Sequence, residues 1–302
     1  MGTSDSKGVV VDVERFSTQN GPGIRTTVFL KGCHLCCKWC GNPETQSYIP
    51  EIMVAAAKCI GCGKCVDTCF NRALRLIGRR VSVRFDRCLN CLHCTEVCTE
   101  GAIRKVGTPY TAGELYHAVT RDREFYGTRG GVTFTGGEPL SQWKFILPVL
   151  KKLKEDGIGV CMDTTGDVDW SVLEKVSEYV TIFLYDVKHL DTDRHREGTG
   201  VGNERILENL RKLAESGARI WMRVPVIPGY NDSDQHIREL AELAGELDAE
   251  RLCLLPFHTL GREKYSQLGR VYPMGEMAAC SSTKMSRVKK TAENHFPRVY
   301  VG

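Results

Sequence analysis

The chain has 302 residues, 42% of them hydrophobic, and a formal net charge of +4. That length supports one large core or two ordinary ones, and so mild a basic excess argues against nucleic acid or a membrane as a partner. No run approaches a transmembrane span and the N-terminus lacks the apolar stretch of a secretory signal, which makes the cytoplasm the expected compartment.

In chain order, "MGTSDS" reads as a disordered start, its fit to a myristoylation pattern being loose. "TTVFLKG" (26–32) is the first strand expected, and it runs straight into "GCHLCCKWCGNPE", which packs Cys33, Cys36, Cys37 and Cys40 into eight positions. Residues 50–107 are dense in Cys and Gly and poor in long apolar runs, so they read as a small inserted module held by something other than a core. From Gly131 onward, short apolar runs alternate with amphipathic stretches. "GVTFT", "GVCMD", "TIFLYDVK", "ARIWMRVPVI", "RLCLL" and "RVYV" are strand patterns; 142–156, 171–179, 204–216 and 234–246 have helical periodicity. This βα repeat predicts an α/β fold with a parallel sheet, open or wound into a full or partial barrel. The barrel segments are then 1–49 and 108–302, with the insertion at 50–107. In such folds ligands bind at the C-terminal ends of strands. The stretch 281–290 reads as a solvated helix face, and "FPRVYVG" as a last strand.

The chain has fifteen cysteines, and twelve lie between Cys33 and Cys98. Disulfide frameworks belong to small secreted domains, so clustered thiols here point to metal or cluster ligands. "CIGCGKCVDTC" and "CLNCLHCTEVC" repeat one C-x2-C-x2-C-x3-C spacing, the bacterial ferredoxin run in which the fourth cysteine crosses to the other [4Fe–4S] cluster. The expected ligand sets are Cys59, Cys62, Cys65 with Cys98, and Cys88, Cys91, Cys94 with Cys69. Phe70 and Thr99 stand where a proline commonly follows the fourth cysteine. Two four-cysteine zinc sites are the alternative, less suited to this spacing. Cys161 and Cys253 read as buried apolar residues, and Cys280 has no assignment.

Three cysteines on a cubane leave one iron open to a ligand, the logic by which catalytic metals keep a vacant position. By spacing, Cys33 and Cys40 could be completed by either Cys36 or Cys37. Asp186 and Lys188 share one side of a strand; they are either a structural ion pair or a polar ligand site.

Cys33-x3-Cys37-x2-Cys40, with Trp39 before the last cysteine, resembles the signature of radical S-adenosylmethionine enzymes. "NGPGIRTTVFLKGC", "CKWCGNPETQ", "GGVTFTGGEPL", "DVKHLDTDRHREGTG", "VPVIPGYND" and "LLPFHTLGREKYSQLG" narrow the resemblance to activating enzymes of glycyl radical enzymes, in the branch with a two-cluster insertion. The resemblance spans nearly the whole chain. It selects Cys37 over Cys36 and implies three [4Fe–4S] clusters, one of them binding S-adenosylmethionine. It also implies cofactor contacts by Gly136, Gly137 and Glu138 of "GGE", whose backbone and carboxylate would hold the methionyl ammonium, with help from Asp163. Lys188 is expected on the carboxylate beside Asp186, His258 near the nucleoside, and Trp39 among the cofactor-binding residues; Arg223 matches a family arginine at the barrel mouth. The implied reaction is reductive cleavage of S-adenosylmethionine to a 5′-deoxyadenosyl radical that takes a hydrogen from a backbone glycine of a partner enzyme. A flavodoxin- or ferredoxin-type electron donor and an anaerobic host are expected with it.

The chain departs from the family pattern at Asn20, usually Asp, and at His34 and Cys36, usually Pro and Arg. These departures point to altered partner contact with the chemistry kept. Two rival readings are a different radical S-adenosylmethionine enzyme acting on a peptide and an iron–sulfur electron-transfer protein. The constellation of GGE, Asp186, Lys188 and His258 disfavours the second, because an electron carrier needs no amino-acid site.

Overall fold

The strands are set by alternation, and the computed structural model, which describes residues 6–302, places that alternation on two faces of one sheet. Met1–Asp5, most of the stretch read as a disordered start, lie outside the described residues. The first described strand, β1 (Lys7–Ser17), runs antiparallel to β2 (Arg25–Leu30). Next come β3 (Glu51–Val54), α1 (Lys64–Thr68), β4 (Leu74–Ile77), β5 (Arg80–Val83), α2 (His93–Glu96) and β6 (Ile103–Val106). Two elements, β7 (Thr108–Thr111) and α3 (Ala112–Thr120), return the chain to the main sheet. The repeating part is β8 (Gly131–Gly136), α4 (Trp143–Glu155), β9 (Gly159–Thr164), α5 (Trp170–Ser177), β10 (Ile182–Asp186), α6 (Thr192–Thr199), α7 (Glu204–Glu215), β11 (Ile220–Val226), α8 (Asp234–Glu246), β12 (Arg251–Pro256), α9 (Gly261–Gln267), α10 (Ser282–Glu293) and β13 (Val299–Val301).

Nine strands make one sheet in the order β13-β12-β11-β10-β9-β8-β2-β1-β7. The run from β2 through β13 is parallel, and β1 and β7 are added antiparallel at one edge. The edge strands β7 and β13 do not pair with each other, so the βα barrel is partial.

Successive strand side chains point to opposite faces. Val132 and Phe134, Val160 and Met162, Phe183 and Tyr185, Met222 and Val224, and Leu252 and Leu254 form the main core under the helices. Their neighbours in sequence face the other way. Cys161, Ile182, Leu184 and Trp221 with Cys253 form a separate cluster inside the sheet's curve; the two free cysteines pack there as small hydrophobes, as expected. One step further along the same face, alternation delivers Thr135, Asp163, Asp186 and Arg223 to the C-terminal ends of the strands.

Among the elements that differ from the sequence reading, two change the packing of the sheet. The 281–290 stretch is helix α10, but Met285, Val288 and Ala292 are buried and the helix packs on α8. Its apolar positions are few, which hid the buried stripe. Strand β1 was not anticipated, although Val9–Glu14 carries an alternating pattern that signals it.

Residues Glu51–Val106 form two two-stranded sheets, β3–β6 and β4–β5, with their own small cluster around Ile52, Leu74, Val81 and Ile103. Six cluster-motif cysteines of the module complete that cluster (Cys59, Cys65, Cys69, Cys88, Cys94 and Cys98). So little apolar surface cannot offset the chain entropy of such a segment by itself.

Candidate active site

The cysteine loop begins where β2 ends, and the backbone on three sides holds it. Gly32 N–H donates to Thr45 O (2.6 Å) and Cys33 N–H to Gln46 O (3.0 Å). From the opposite side, the C-terminal carbonyls of α6 receive the loop: Cys36 N–H donates to Thr199 O (2.7 Å) and Lys38 N–H to Gly198 O (2.9 Å). Helix ends leave such carbonyls without internal partners, and here the loop supplies the donors. A Cβ on Gly198 would lie 2.8 Å from the Trp39 ring, so that glycine lets the loop close against the helix.

The loop roofs a cavity of about 270 Å³ at the C-terminal ends of the strands. Cys33, Cys37 and Cys40 line it, with Trp39, Gly136, Gly137, Asp163, Asp186, Lys188, Arg223 and His258. Cys36 is exposed and absent from the lining. Burial pushes the Cys37 thiol up to about 12, and Cys33 and Cys40 are also raised by burial. Ligation to iron removes those protons, so binding a cluster relieves the burial penalty. A larger hollow of about 720 Å³ opens at the opposite ends of the strands, lined among others by Arg25, Trp221 and Arg251; none of the site residues expected from the sequence lines it.

Four charged side chains cross the cavity floor. Thr135 Oγ1 donates to Asp163 Oδ2 (2.7 Å), Arg223 lies 3.1 Å from that same oxygen, and Lys188 Nζ donates to Asp186 Oδ2 (2.7 Å). Arg223 Nε and Asp186 Oδ1 face each other at 3.7 Å, beyond hydrogen-bond length, and both are buried without a partner. Burial works against the Lys188 charge, but Asp186 and the Cys37 sulfur hold its pKa above the ordinary lysine value. Burial raises the Asp163 pKa while Arg223 opposes the rise. Two anions and two cations balance, so a zwitterionic amino-acid head adds no net charge to this buried site. The orphaned acceptor and donor offer it one partner of each kind.

Glu138 is not where the sequence reading put it. Its side chain is fully buried, absent from the cavity lining, and accepts four hydrogen bonds: Leu140 N–H (3.0 Å), Thr164 Oγ1 (2.7 Å), Thr165 N–H (2.9 Å) and Thr165 Oγ1 (2.8 Å). An ionised carboxylate has about four lone-pair sites, and all are taken. These bonds tie the loop after β9 to the loop after β8. The glycines likewise serve a close approach to backbone. A Cβ on Gly137 would sit 2.1 Å from Gly32 O, and one on Gly136 2.3 Å from Leu30 N. Both still line the cavity, through their backbone.

His258 is exposed at the rim, its ring over Gly41. Trp39 is buried, with its ring centroid 4.8 Å from that of Tyr230. Tyr230, Thr135 and the α6 carbonyls were missed from the sequence. Only the polar, glycine-ended "DTDRHREGTG" hinted at α6, through its Asp191 N-cap and Gly200 stop.

In the module, Cys59, Cys62, Cys65 and Cys98 line one small hollow, and Cys69, Cys88, Cys91 and Cys94 line another. Backbone N–H groups aim at three of these sulfurs: Val81 at Cys59 (3.3 Å), Ala73 at Cys69 (3.3 Å) and Ile103 at Cys98 (3.4 Å). Eight cysteines in two sets of four, three of their sulfurs met by amide donors and Cys62 and Cys91 open to solvent, are a donor set suited to two iron–sulfur clusters.

Comparison with known proteins adds family. Residues 85–243 match the radical SAM superfamily, and 58–102 match the 4Fe-4S dicluster domain. An isethionate sulfite-lyase activating enzyme of Oleidesulfovibrio alaskensis is 40% identical over 278 residues, covering 89% of this chain and 90% of that protein. A 4-hydroxyphenylacetate decarboxylase activating enzyme of Clostridioides difficile is 36% identical, covering 98% and 96%. Among solved structures, Streptococcus suis SuiB bound to precursor peptide SuiA aligns with a TM-score of 0.56 over 89% of this chain and 46% of its own; at 13% identity this is a likeness of fold alone.

Proposed function

The chain belongs to the radical SAM superfamily and, within it, to the activating enzymes of glycyl radical enzymes, and on that premise we propose how its residues divide the work. Cys33, Cys37 and Cys40 hold the site cluster, and the eight module cysteines hold two auxiliary clusters, three in all. When bound, the site cluster supplies the electron that cleaves S-adenosylmethionine to a 5′-deoxyadenosyl radical, which takes a hydrogen from a backbone glycine of the partner.

Lys188 binds the methionyl carboxylate, with Asp186 orienting its ammonium. Asp163 and the backbone of Gly136 and Gly137 take the methionyl ammonium, with Thr135 fixing the Asp163 rotamer. Arg223 reaches both buried carboxylates and opposes the burial-driven rise at Asp163, and the ligand completes its unpartnered Nε. Trp39 and His258 border the nucleoside. The enclosing loop keeps water from a reactive primary radical. The partner's glycine loop enters at the rim, where His258 stands. The donor is a flavodoxin- or ferredoxin-type protein, and the chain works in the cytoplasm, where among the described residues no helix is long and apolar enough to cross a membrane.

The observation that carries this reading is the shared cavity: three sulfurs facing a charge-balanced floor with one free donor and one free acceptor. The test is anaerobic reconstitution with iron and sulfide, reduction, and quantitation of methionine and 5′-deoxyadenosine. Both products are expected, together with a glycyl radical signal on the partner enzyme. A fully loaded, reduced protein that releases no methionine would sink the reading.

A further inference from the structure

The module concentrates the chain's positive charge. Residues 50–107 carry ten Lys and Arg against five Asp and Glu, a net of +5, so the rest of the chain is at −1. All ten cations are exposed, and among the described residues only Arg84 has an acidic partner, Asp86. The charge is placed over one hollow in particular. Hairpin β4–β5 turns Leu74, Leu76, Val81 and Val83 inward against the cysteines. Its outer face carries Arg75 and Ile77, with Arg80 paired across from Ile77. At the turn, Arg79 packs over Gly61 and reaches Ile60 O. Ile60 is 52% exposed and Ile77 58%, and Cys62, which lines the same hollow as Ile60, is itself exposed; at the other hollow Phe70 and Leu89 are exposed without such a ring of arginines on a hairpin.

Along β3 the two hollows have an order. Glu51 is bolted to the barrel by Lys31 and Arg270. Ile52 lines the hollow of Cys69, Cys88, Cys91 and Cys94, whereas Ile103, paired with Val54 at the far end, lines the hollow of Cys59, Cys62, Cys65 and Cys98. The near hollow is also close to the active site: Gln46 lines the site cavity and Ile52 is six residues on, at most about 20 Å along the chain. The basic apolar face therefore covers the hollow farther from the barrel.

We propose that this face, Ile60 and Ile77 ringed by Arg75, Arg79 and Arg80, docks a small acidic one-electron carrier protein that reduces the distal auxiliary cluster. The proposal rests on the reading that the module holds two clusters. An apolar centre with a cationic rim suits a transient encounter steered by charge. In the step itself one electron leaves the reduced carrier and one cluster passes from the 2+ to the 1+ state; no bond forms and no proton moves.

The probe is a flavodoxin, an acidic flavin protein, with reconstituted full-length enzyme. Calorimetry measures binding of oxidised flavodoxin, and stopped-flow bleaching follows reduction of the clusters by reduced flavodoxin or by dithionite. Arg79→Glu/Arg80→Glu is expected to weaken binding and slow reduction by flavodoxin about tenfold at low salt, an effect that fades at high salt. Dithionite reduction should be unchanged. Arg104→Glu/Lys105→Glu makes the same charge change on β6 and should alter the flavodoxin rate by less than about twofold. An equal loss in both variants would mean that net charge and not this face recruits the carrier, and would overturn the proposal. So would a flavodoxin rate indifferent to salt and to the hairpin arginines. Iron and sulfide assays on the same samples separate the levels: a module without clusters refutes the two-cluster reading and this proposal with it, whereas full clusters with an indifferent rate refute this proposal alone.

Discussion

Glu138 gives the sharpest separation between a ligand contact and a structural one. Replacing it with Gln keeps the shape but turns one acceptor oxygen into an NH2 group facing the donors that oxygen served. Oε1 serves Leu140 N–H and Thr164 Oγ1; Oε2 serves Thr165 N–H and Thr165 Oγ1. The threonine hydroxyls can rotate, but a backbone N–H cannot. Whichever oxygen is replaced, one buried N–H loses its acceptor, which costs about 1–3 kcal/mol. Two charge-assisted bonds on the other oxygen become neutral ones, worth about 1 kcal/mol more. Glu138→Gln should therefore lose about 2–4 kcal/mol, and Glu138→Ala, which orphans both amides and leaves a cavity, about 4–6 kcal/mol. The assay is urea unfolding of the cluster-free chain, beside S-adenosylmethionine binding to reconstituted protein that remains folded at low denaturant. If the carboxylate instead held the methionyl ammonium, Glu138→Gln would keep the wild-type urea midpoint and bind the cofactor far more weakly. That result would refute a structural role for the Glu138 carboxylate.

Other perturbations read other parts of the structure. Cys36→Ala should keep the site cluster's spectrum and its iron content, and Cys37→Ala should lose both, because of these two adjacent cysteines Cys37 lines the cavity and Cys36 does not. Arg25→Lys should cost about 3–5 kcal/mol in urea unfolding, since the buried guanidinium serves Thr133 Oγ1 and the carbonyls of Pro22, Val132 and Gly159, more acceptors than an ammonium can reach at those positions. Burial, with His189 stacked at 4.1 Å, lowers the His236 pKa to about 4. Between that value and the ordinary 6.5 the unfolded chain binds the extra proton, so stability is lost as pH falls through this window, by roughly 3 kcal/mol at most. His236→Phe should flatten the slope of unfolding free energy between pH 7 and 5; an unchanged slope would reject the assignment. Glu51→Gln should cost about 2–3 kcal/mol and expose the 47–51 segment to protease, because one amide oxygen cannot serve both Lys31, whose side chain has no exposure, and Arg270, and the NH2 group then faces the cation left over.

Legibility followed periodicity. The parallel strands from β8 onward were readable because one face of each had to be apolar, and the same alternation put Asp163, Asp186 and Arg223 on the other face. The cysteine runs were readable because cluster ligation constrains spacing tightly. The polar elements were not. Helix α6 has almost no apolar stripe and exists because Asp191 caps its start, Gly200 ends it, and the cysteine loop uses its last carbonyls. Glu138 was misplaced for a related reason: a sequence shows that a carboxylate is present, but not whether two threonine hydroxyls and two amides from neighbouring loops have already claimed it. The glycines of the same motif look like room for a ligand, yet the first atoms a Cβ would strike belong to β2 and the cysteine loop.

The departures at His34 and Cys36 become intelligible from the same loop. Within 33–40 the side chains of Leu35 and Trp39 are buried, those of Cys33, Cys37 and Cys40 line the cavity, and those of His34 and Cys36 are exposed. The backbone amide of Cys36, not its side chain, makes the bond that matters, to Thr199 O. A residue held through its amide can change side chain without moving the loop, provided it keeps the N–H. These two side chains can therefore differ at the exposed surface while the three sulfurs stay in register. Asn20 is separated from the chemistry in another way. Its carbonyl accepts from Thr133 Oγ1, on the strand face below the charge chain, and its side chain does not line the cavity. All three departures thus fall outside the cavity lining, two on exposed side chains and one on the strand face below the charged floor, where a side chain can change without moving the three sulfurs.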